Sequence, residues 1–125
     1  MEQTSSAEAL EILVVEDEYL IAMDLRDFLE AGGYLVVGPV STVAAALAEL
    51  DRRKPCACVL DVNLRGQHSV PVAHKLIEQK VPFVLSSAYE QETLDQHAVF
   101  RGVTNIGKPA TEHRLLSALA TLVHR

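Results

Sequence analysis

The sequence predicts a doubly wound α/β fold: a five-stranded parallel sheet with five helices distributed over both faces. Three observations predict it. Short apolar runs rich in β-branched residues alternate with amphipathic stretches of helical period. The runs are apolar throughout rather than at every second residue, as strands buried on both faces are. Four of the five runs also stop at polar residues, each set of a different kind. Ligands of open parallel sheets bind outside the carboxyl ends of the strands, so polar groups gathered there converge in space.

The elements follow in order. Met1–Ala9 lack periodicity and read as a disordered tail, leaving residues 10–125 as one domain. Glu11–Val15 is the first strand. Tyr19–Ala31 is a helix with Ile21, Leu25, Phe28 and Leu29 on one stripe, stopped by Gly32-Gly33. Tyr34–Val37 is the second strand, ended by Gly38-Pro39. Ser41 or Thr42 can cap the next helix, whose stripe is Val43, Ala46, Leu47 and Leu50. Its basic end, Arg52-Arg53-Lys54, complements the helix dipole, and Pro55 forbids continuation.

Ala57–Val62 is the most apolar strand, followed by a loop over Asn63–Ser69. Val70–Lys80 reads as a helix with Ala73, Leu76 and Ile77 inward and Pro71 in its first turn. Phe83–Ser86 is the fourth strand. A weak helix over Glu92–Phe100, with Leu94 and Ala98 inward, leads to the fifth strand, Val103–Ile106. The last helix, Thr111–His124, carries Leu115, Leu116, Leu119, Leu122 and Val123. Five strand–helix pairs, with no repeat, linker or second domain, predict helices on both faces of one sheet.

Composition excludes several function classes. A net charge of −6 with no basic cluster longer than Arg52-Arg53-Lys54 argues against direct nucleic-acid binding. No apolar run reaches the length of a membrane span, and Met1–Glu8 does not read as a secretory signal; a cytoplasmic setting is expected. Cys56 and Cys58, two apart in a strand, read as small core residues on one face in a reduced compartment. The histidines His68, His74, His97, His113 and His124 show no ligand spacing, so no zinc is assigned.

The chemistry lies at the strand ends. Glu16 and Asp17 follow the first strand, and Asp61 ends the third. Carboxylates held about 5 Å apart repel by roughly 3 kcal/mol per pair at an effective dielectric near 20. A divalent cation removes that conflict, and magnesium suits oxygen ligands while keeping several waters. Asp61 would then be ligand and nucleophile together, because a carboxylate forms an acyl phosphate once the phosphoryl charge is neutralised. Lys108 supplies a point charge and Ser87 a hydroxyl for the remaining phosphoryl oxygens. The backbone carbonyl of Asn63, two past Asp61, can reach the same metal. Singly, acidic residues after a strand are ordinary helix N-terminal charges, and a lysine is ordinary surface. Their register after successive strands favours one site.

Val14-Val15-Glu16-Asp17-Glu18, Leu60-Asp61-Val62-Asn63, Leu85-Ser86-Ser87-Ala88 and Lys108-Pro109 together resemble the receiver domain of two-component response regulators. The resemblance runs from Glu11 to the C-terminus. It implies a flavodoxin-like strand order 2-1-3-4-5, with Asp61 as phospho-acceptor. It places magnesium on Glu16, Asp17, Asp61 and the Asn63 carbonyl, makes Ser87 the switch hydroxyl and Lys108 the phosphate-binding lysine, and implies a cis bond before Pro109. A sensor histidine kinase or a phosphotransfer protein would supply the phosphoryl group. Gly38–Val40 and Asn63-Leu64-Arg65-Gly66 are similar to stand-alone receivers of alphaproteobacteria.

The chain departs from the family at three positions. Asn105 stands where an inward-rotating aromatic is usual, so an aromatic–hydroxyl switch of the common kind is not expected; Tyr89 is the nearest ring. Arg65 stands where proline is usual, which suggests a more mobile loop. Ser87 replaces the commoner threonine, with Ser86 adjacent, and alternation points only one of the two at the site.

The expected function is that of a single-domain regulator, with no enzymatic turnover beyond its own phosphorylation and slow dephosphorylation. Output passes to a protein partner, or along a phosphorelay, through the face of Leu94–Arg101, Val103–Ile106 and the last helix; a homodimer is also compatible. Two alternatives belong to other classes. One is a phosphorylation-independent interaction module on the same fold. The other is an aspartyl-phosphate hydrolase, whose usual second aspartate is here Asn63.

Overall fold

The computed structural model of the chain describes residues 9–123. Apart from Ala9, the expected tail lies outside the described residues, as does His124 at the end of the last helix. The elements are β1 (Glu11–Val15), α1 (Tyr19–Ala31), β2 (Leu35–Val40), α2 (Val43–Arg52), β3 (Ala57–Asp61), β4 (Asn63–Leu64), β5 (Gln67–His68), α3 (Val70–Glu78), β6 (Phe83–Ser86), α4 (Gln91–Leu94) and α5 (Glu112–Val123), with a 3₁₀ turn at Ala98–Phe100.

The parallel sheet runs β2-β1-β3-β6. β1 pairs with β3 from Ile12↔Ala57 to Val15↔Leu60, and β3 with β6 from Cys58↔Phe83 to Asp61↔Ser86. Strand alternation sends the core two ways. Leu13, Val15, Cys58, Leu60 and Leu85 pack under Ala46 and Leu50 of α2 and Val72, Ala73 and Leu76 of α3. Ile12, Val14, Ala57, Val59 and Val84 pack under Leu25 and Leu29 of α1 and Leu115 and Leu119 of α5. Among the described residues no helix is long and apolar enough to cross a membrane.

Most predicted elements stand where the pattern placed them. Thr42 is the α2 cap, its hydroxyl accepting from Ala45 N at 3.0 Å. β2 runs three residues further than expected, through a cis Gly38-Pro39 bond, and its register against β1 shifts between Leu13 and Val15. The shift lets Val40 C=O accept from Glu16 N at 2.9 Å, which ties down the end of β1. Only glycine fits at position 38, where φ is +92° and a Cβ would lie 2.7 Å from Val40 N.

Several expectations are corrected. The fifth strand is reduced to one bridge, Leu85↔Asn105, closed by Leu85 N→Thr104 O and Ile106 N→Leu85 O, each 2.8 Å. The helix over Glu92–Phe100 breaks in two because Leu94 and Phe100 are both buried. Six residues apart, they would stand about 120° apart around one α-helix; the break turns both inward and leaves Ala98 exposed. α3 stops at Glu78 because Lys80 takes a left-handed conformation, φ +60°. Val72 packs inward there, while Ile77 is half exposed. Cys56 precedes β3 and is exposed, so only Cys58 is a core residue. The loop after Asp61 is a tight hairpin, β4–β5, turning at Arg65 (φ +51°) and Gly66 (φ +83°). Two central residues of positive φ are what a type I′ hairpin turn requires.

Candidate functional site

β1, β3 and β6 all end at the same edge of the molecule, and the residues just beyond them close on one point. Glu16 and Asp61 are nearly fully buried there. Lys108, after the fifth-strand bridge, reaches across. Its Nζ lies 2.9 Å from Asp61 Oδ2, 3.2 Å from Glu16 Oε2 and 2.9 Å from Glu18 Oε1. Backbone N–H groups hold the carboxylates in place. Glu18 N donates to Glu16 Oε2 (3.0 Å), Asn63 N to Asp61 Oδ1 (3.2 Å) and Arg65 N to Asp17 Oδ2 (2.9 Å).

One ammonium thus serves three carboxylates, and the protonation equilibria reflect the shortfall. Burial pushes the Glu16 carboxyl up to about 7, with the Asp61 charge adding to it against the Glu18 N–H bond and Lys108. Burial likewise raises Asp61, opposed by Lys108 and the Asn63 N–H. Asp17 is less buried; its desolvation is outweighed by the Arg65 N–H acting together with Asp61, its own backbone N–H and Lys108, and its carboxyl is lowered. Lys108 is raised, its bonds to Glu18 and Asp61 overcoming its own desolvation.

The donor set fits a hard divalent cation. Carboxylate oxygens of Glu16, Asp17 and Glu18 lie within 4.8 Å of one another. Glu16 Oε1 is buried and has no hydrogen-bond partner. An orphaned carboxylate oxygen in an all-oxygen cluster short of positive charge is what a magnesium or calcium ion satisfies.

Beside this cluster, Glu18, Asp61, Asn63, Ser87, Ala88, Tyr89 and Lys108 line an open pocket of about 240 Å³. Ser87 and Ser86 are now distinguished. Ser87 lines the pocket, and its Oγ accepts from Tyr89 N at 2.9 Å. Ser86 points the other way and donates to Gly107 O at 3.1 Å. The peptide bond before Pro109 is cis. Two larger grooves, one between α2 and α3 and one at the opposite end of β6, hold none of this chemistry.

The structure therefore gathers Glu16, Asp17, Asp61, Ser87 and Lys108, and sets Asn63 against Asp61 through its backbone. Three participants were missed. Glu18 stood in the acidic run but reads as a helix-start charge. Arg65 acts through its backbone N–H, and only Arg65-Gly66 read as a hairpin turn would have shown it. Asn105 was noted for the ring it lacks; its amide bonds the Ser87 backbone, with Ser87 N→Oδ1 at 3.0 Å and Nδ2→Ser87 O at 3.1 Å.

Comparison with known proteins agrees with this fold. The solution structure of the BeF3-activated conformation of SdrG from Pseudomonas melonis Fr1 is 44% identical, with a TM-score of 0.77, covering 92% of this chain and 98% of that one. The sensory transduction protein LytT of Bacillus anthracis is 33% identical over 113 residues, which are 88% of this chain and 46% of that protein. The transcriptional regulatory protein PdtaR of Mycobacterium tuberculosis is 28% identical over 116 residues, 91% of this chain and 57% of that protein. The chain spans about half the length of these two curated relatives. Receiver domains have no enzymatic activity beyond the chemistry of their own phosphorylation, and they imply a kinase partner. Residues 12–120 match the response regulator receiver domain model, and the chain belongs to that family.

Proposed function

We propose that the chain is a single-domain response regulator that accepts a phosphoryl group on Asp61 from a phosphohistidine of a sensor kinase or phosphotransfer protein. The observation that carries this is the placement of Asp61: a buried carboxylate at the end of β3, bonded to Lys108 and open to a pocket that Ser87 lines. In the transfer, an Asp61 Oδ forms a bond to phosphorus as the phosphorus–nitrogen bond breaks. The electron pair leaves on the imidazole nitrogen. Lys108 and the Ser87 hydroxyl are available to the peripheral phosphoryl oxygens, and positioning with charge stabilisation is most of what this reaction needs. Glu16, Asp17, Asp61 and the Asn63 carbonyl would hold magnesium, whose charge offsets that of the phosphoryl group. Cytoplasmic location, output through the face of residues 94–106 and α5, and a possible homodimer belong to the same proposal.

The test is intact mass after incubation with acetyl phosphate, with and without magnesium. Wild type should gain one phosphoryl group only with magnesium, and Asp61→Asn none. Stoichiometric uptake by Asp61→Asn would overturn the assignment. One observation favours a second reading, an interaction module that works without phosphorylation: an amide occupies position 105 in place of the switching ring. That reading requires magnesium and beryllofluoride to leave stability and partner binding unchanged.

A further inference from the structure

Asn105 uses its whole side-chain amide on the backbones of two loops. Oδ1 accepts from Ser87 N at 3.0 Å and from Gly107 N at 3.1 Å. Nδ2 donates to Ser87 O at 3.1 Å and to Tyr89 O at 3.4 Å. Both lone pairs and both protons of the amide are therefore engaged. One loop carries Ser87 and Tyr89; the other carries Gly107 and, next to it, Lys108. Backbone pairing between β6 and the fifth strand ends at Leu85 and Ile106. Beyond that point the amide continues the ladder, standing in for a peptide group.

We propose that Asn105 is the positioning residue of the phosphorylation site, an amide clamp that holds the Ser87 hydroxyl and the Lys108 ammonium in one fixed relation to Asp61. The role rests on the phosphorylation reading above. A carboxylate at 105 keeps the shape and both acceptor contacts but turns a lone pair toward Ser87 O and Tyr89 O. Alanine removes all four bonds. Either change loosens the two loops, which the Ser86 Oγ–Gly107 O bond still joins, and loss of alignment by about 1 Å can cost on the order of a hundredfold in rate.

The experiment uses the full chain with magnesium and acetyl phosphate, comparing wild type, Asn105→Asp and Asn105→Ala at a temperature where thermal melts show all three folded. Phosphoryl uptake is followed by intact mass, and magnesium affinity in parallel. Both variants should take up phosphate about tenfold more slowly or worse, with magnesium affinity nearly unchanged. An active wild type with variants within about twofold of it, or a rate deficit matched by an equal loss of magnesium affinity, overturns the clamp alone. An inert wild type overturns the phosphorylation reading and the clamp with it.

Discussion

Lys108 Nζ lies 2.9 Å from Asp61 Oδ2, and both side chains are largely withdrawn from water. The same ammonium is 3.2 Å from Glu16 Oε2, whose side chain is fully buried. Removing it should therefore cost stability. Breaking a buried ion pair costs about 3–5 kcal/mol when the remaining charge cannot relax, but here the carboxylates can take up protons. Lys108→Met should lose about 2–3 kcal/mol near pH 8 and less near pH 5. Magnesium should restore more stability to the variant than it adds to wild type. Urea titrations at both pH values check this; an equal loss at both would show that packing, not charge, is responsible.

Glu16 sets a second pH dependence. Its carboxyl rises from an ordinary 4.5 to about 7 in the folded protein. Between those values the native chain holds a proton that the unfolded chain has released. The resulting stability is complete below about pH 4.5 and is lost as pH rises through about 7. The full effect is on the order of 3 kcal/mol. Without divalent cation, denaturation midpoints should fall across this window in wild type and flatten in Glu16→Gln. Magnesium should flatten them too, and should bind more tightly as pH rises, because the cation and the proton compete for one carboxylate.

Arg65 explains why the usual proline is missing from the loop after Asp61. Its φ of +51° is closed to proline, and its N–H is bonded to Asp17. Arg65→Pro should cost about 3 kcal/mol or more and weaken magnesium binding. Arg65→Asn keeps the N–H and suits a left-handed turn, so it should be neutral or stabilising by up to about 1 kcal/mol. Equal stability of the two variants in thermal melts would count against the hairpin.

Tyr89 is partly exposed and lines the pocket together with Asn63. It lines the same pocket as Asp61, the proposed phospho-acceptor. Tyr89→Ala should shorten the lifetime of the phosphorylated protein severalfold, read as loss of the added mass after excess acetyl phosphate is removed. An unchanged half-life would take Tyr89 out of that role.

The sheet centre and the charged corner were legible in the sequence because each rests on short-range chemistry. β1, β3, β6 and α1 are single-period patterns with clear stops, and Glu16, Asp17, Asp61, Ser87 and Lys108 follow strands directly. What escaped depends on partners far along the chain. Leu94 and Phe100 break a helix because both must be buried, which no periodicity count detects. The hairpin at Arg65 needs two residues of positive φ, and only Gly66 announced one. Asn105 bonds groups 16 to 18 residues away, so its amide was visible only as an absent ring.

The bridge at Leu85↔Asn105 leaves the sheet mechanically lopsided. β1 and β3 are laddered on both sides and sealed by core. The segment carrying Lys108 is a flap, joined to β6 by two backbone bonds, the Asn105 amide and the Ser86 hydroxyl, and flanked by Gly102 (φ +75°) and Gly107 (φ +88°). Segments with few such bonds open at a small fraction of the global unfolding free energy. The amides of Val103–Ile106 should then exchange with deuterium well ahead of those in β3. A charge placed on Asp61 can reshape this margin while the central plate of the sheet stays rigid, which makes the edge a hinge of low stiffness rather than part of the frame.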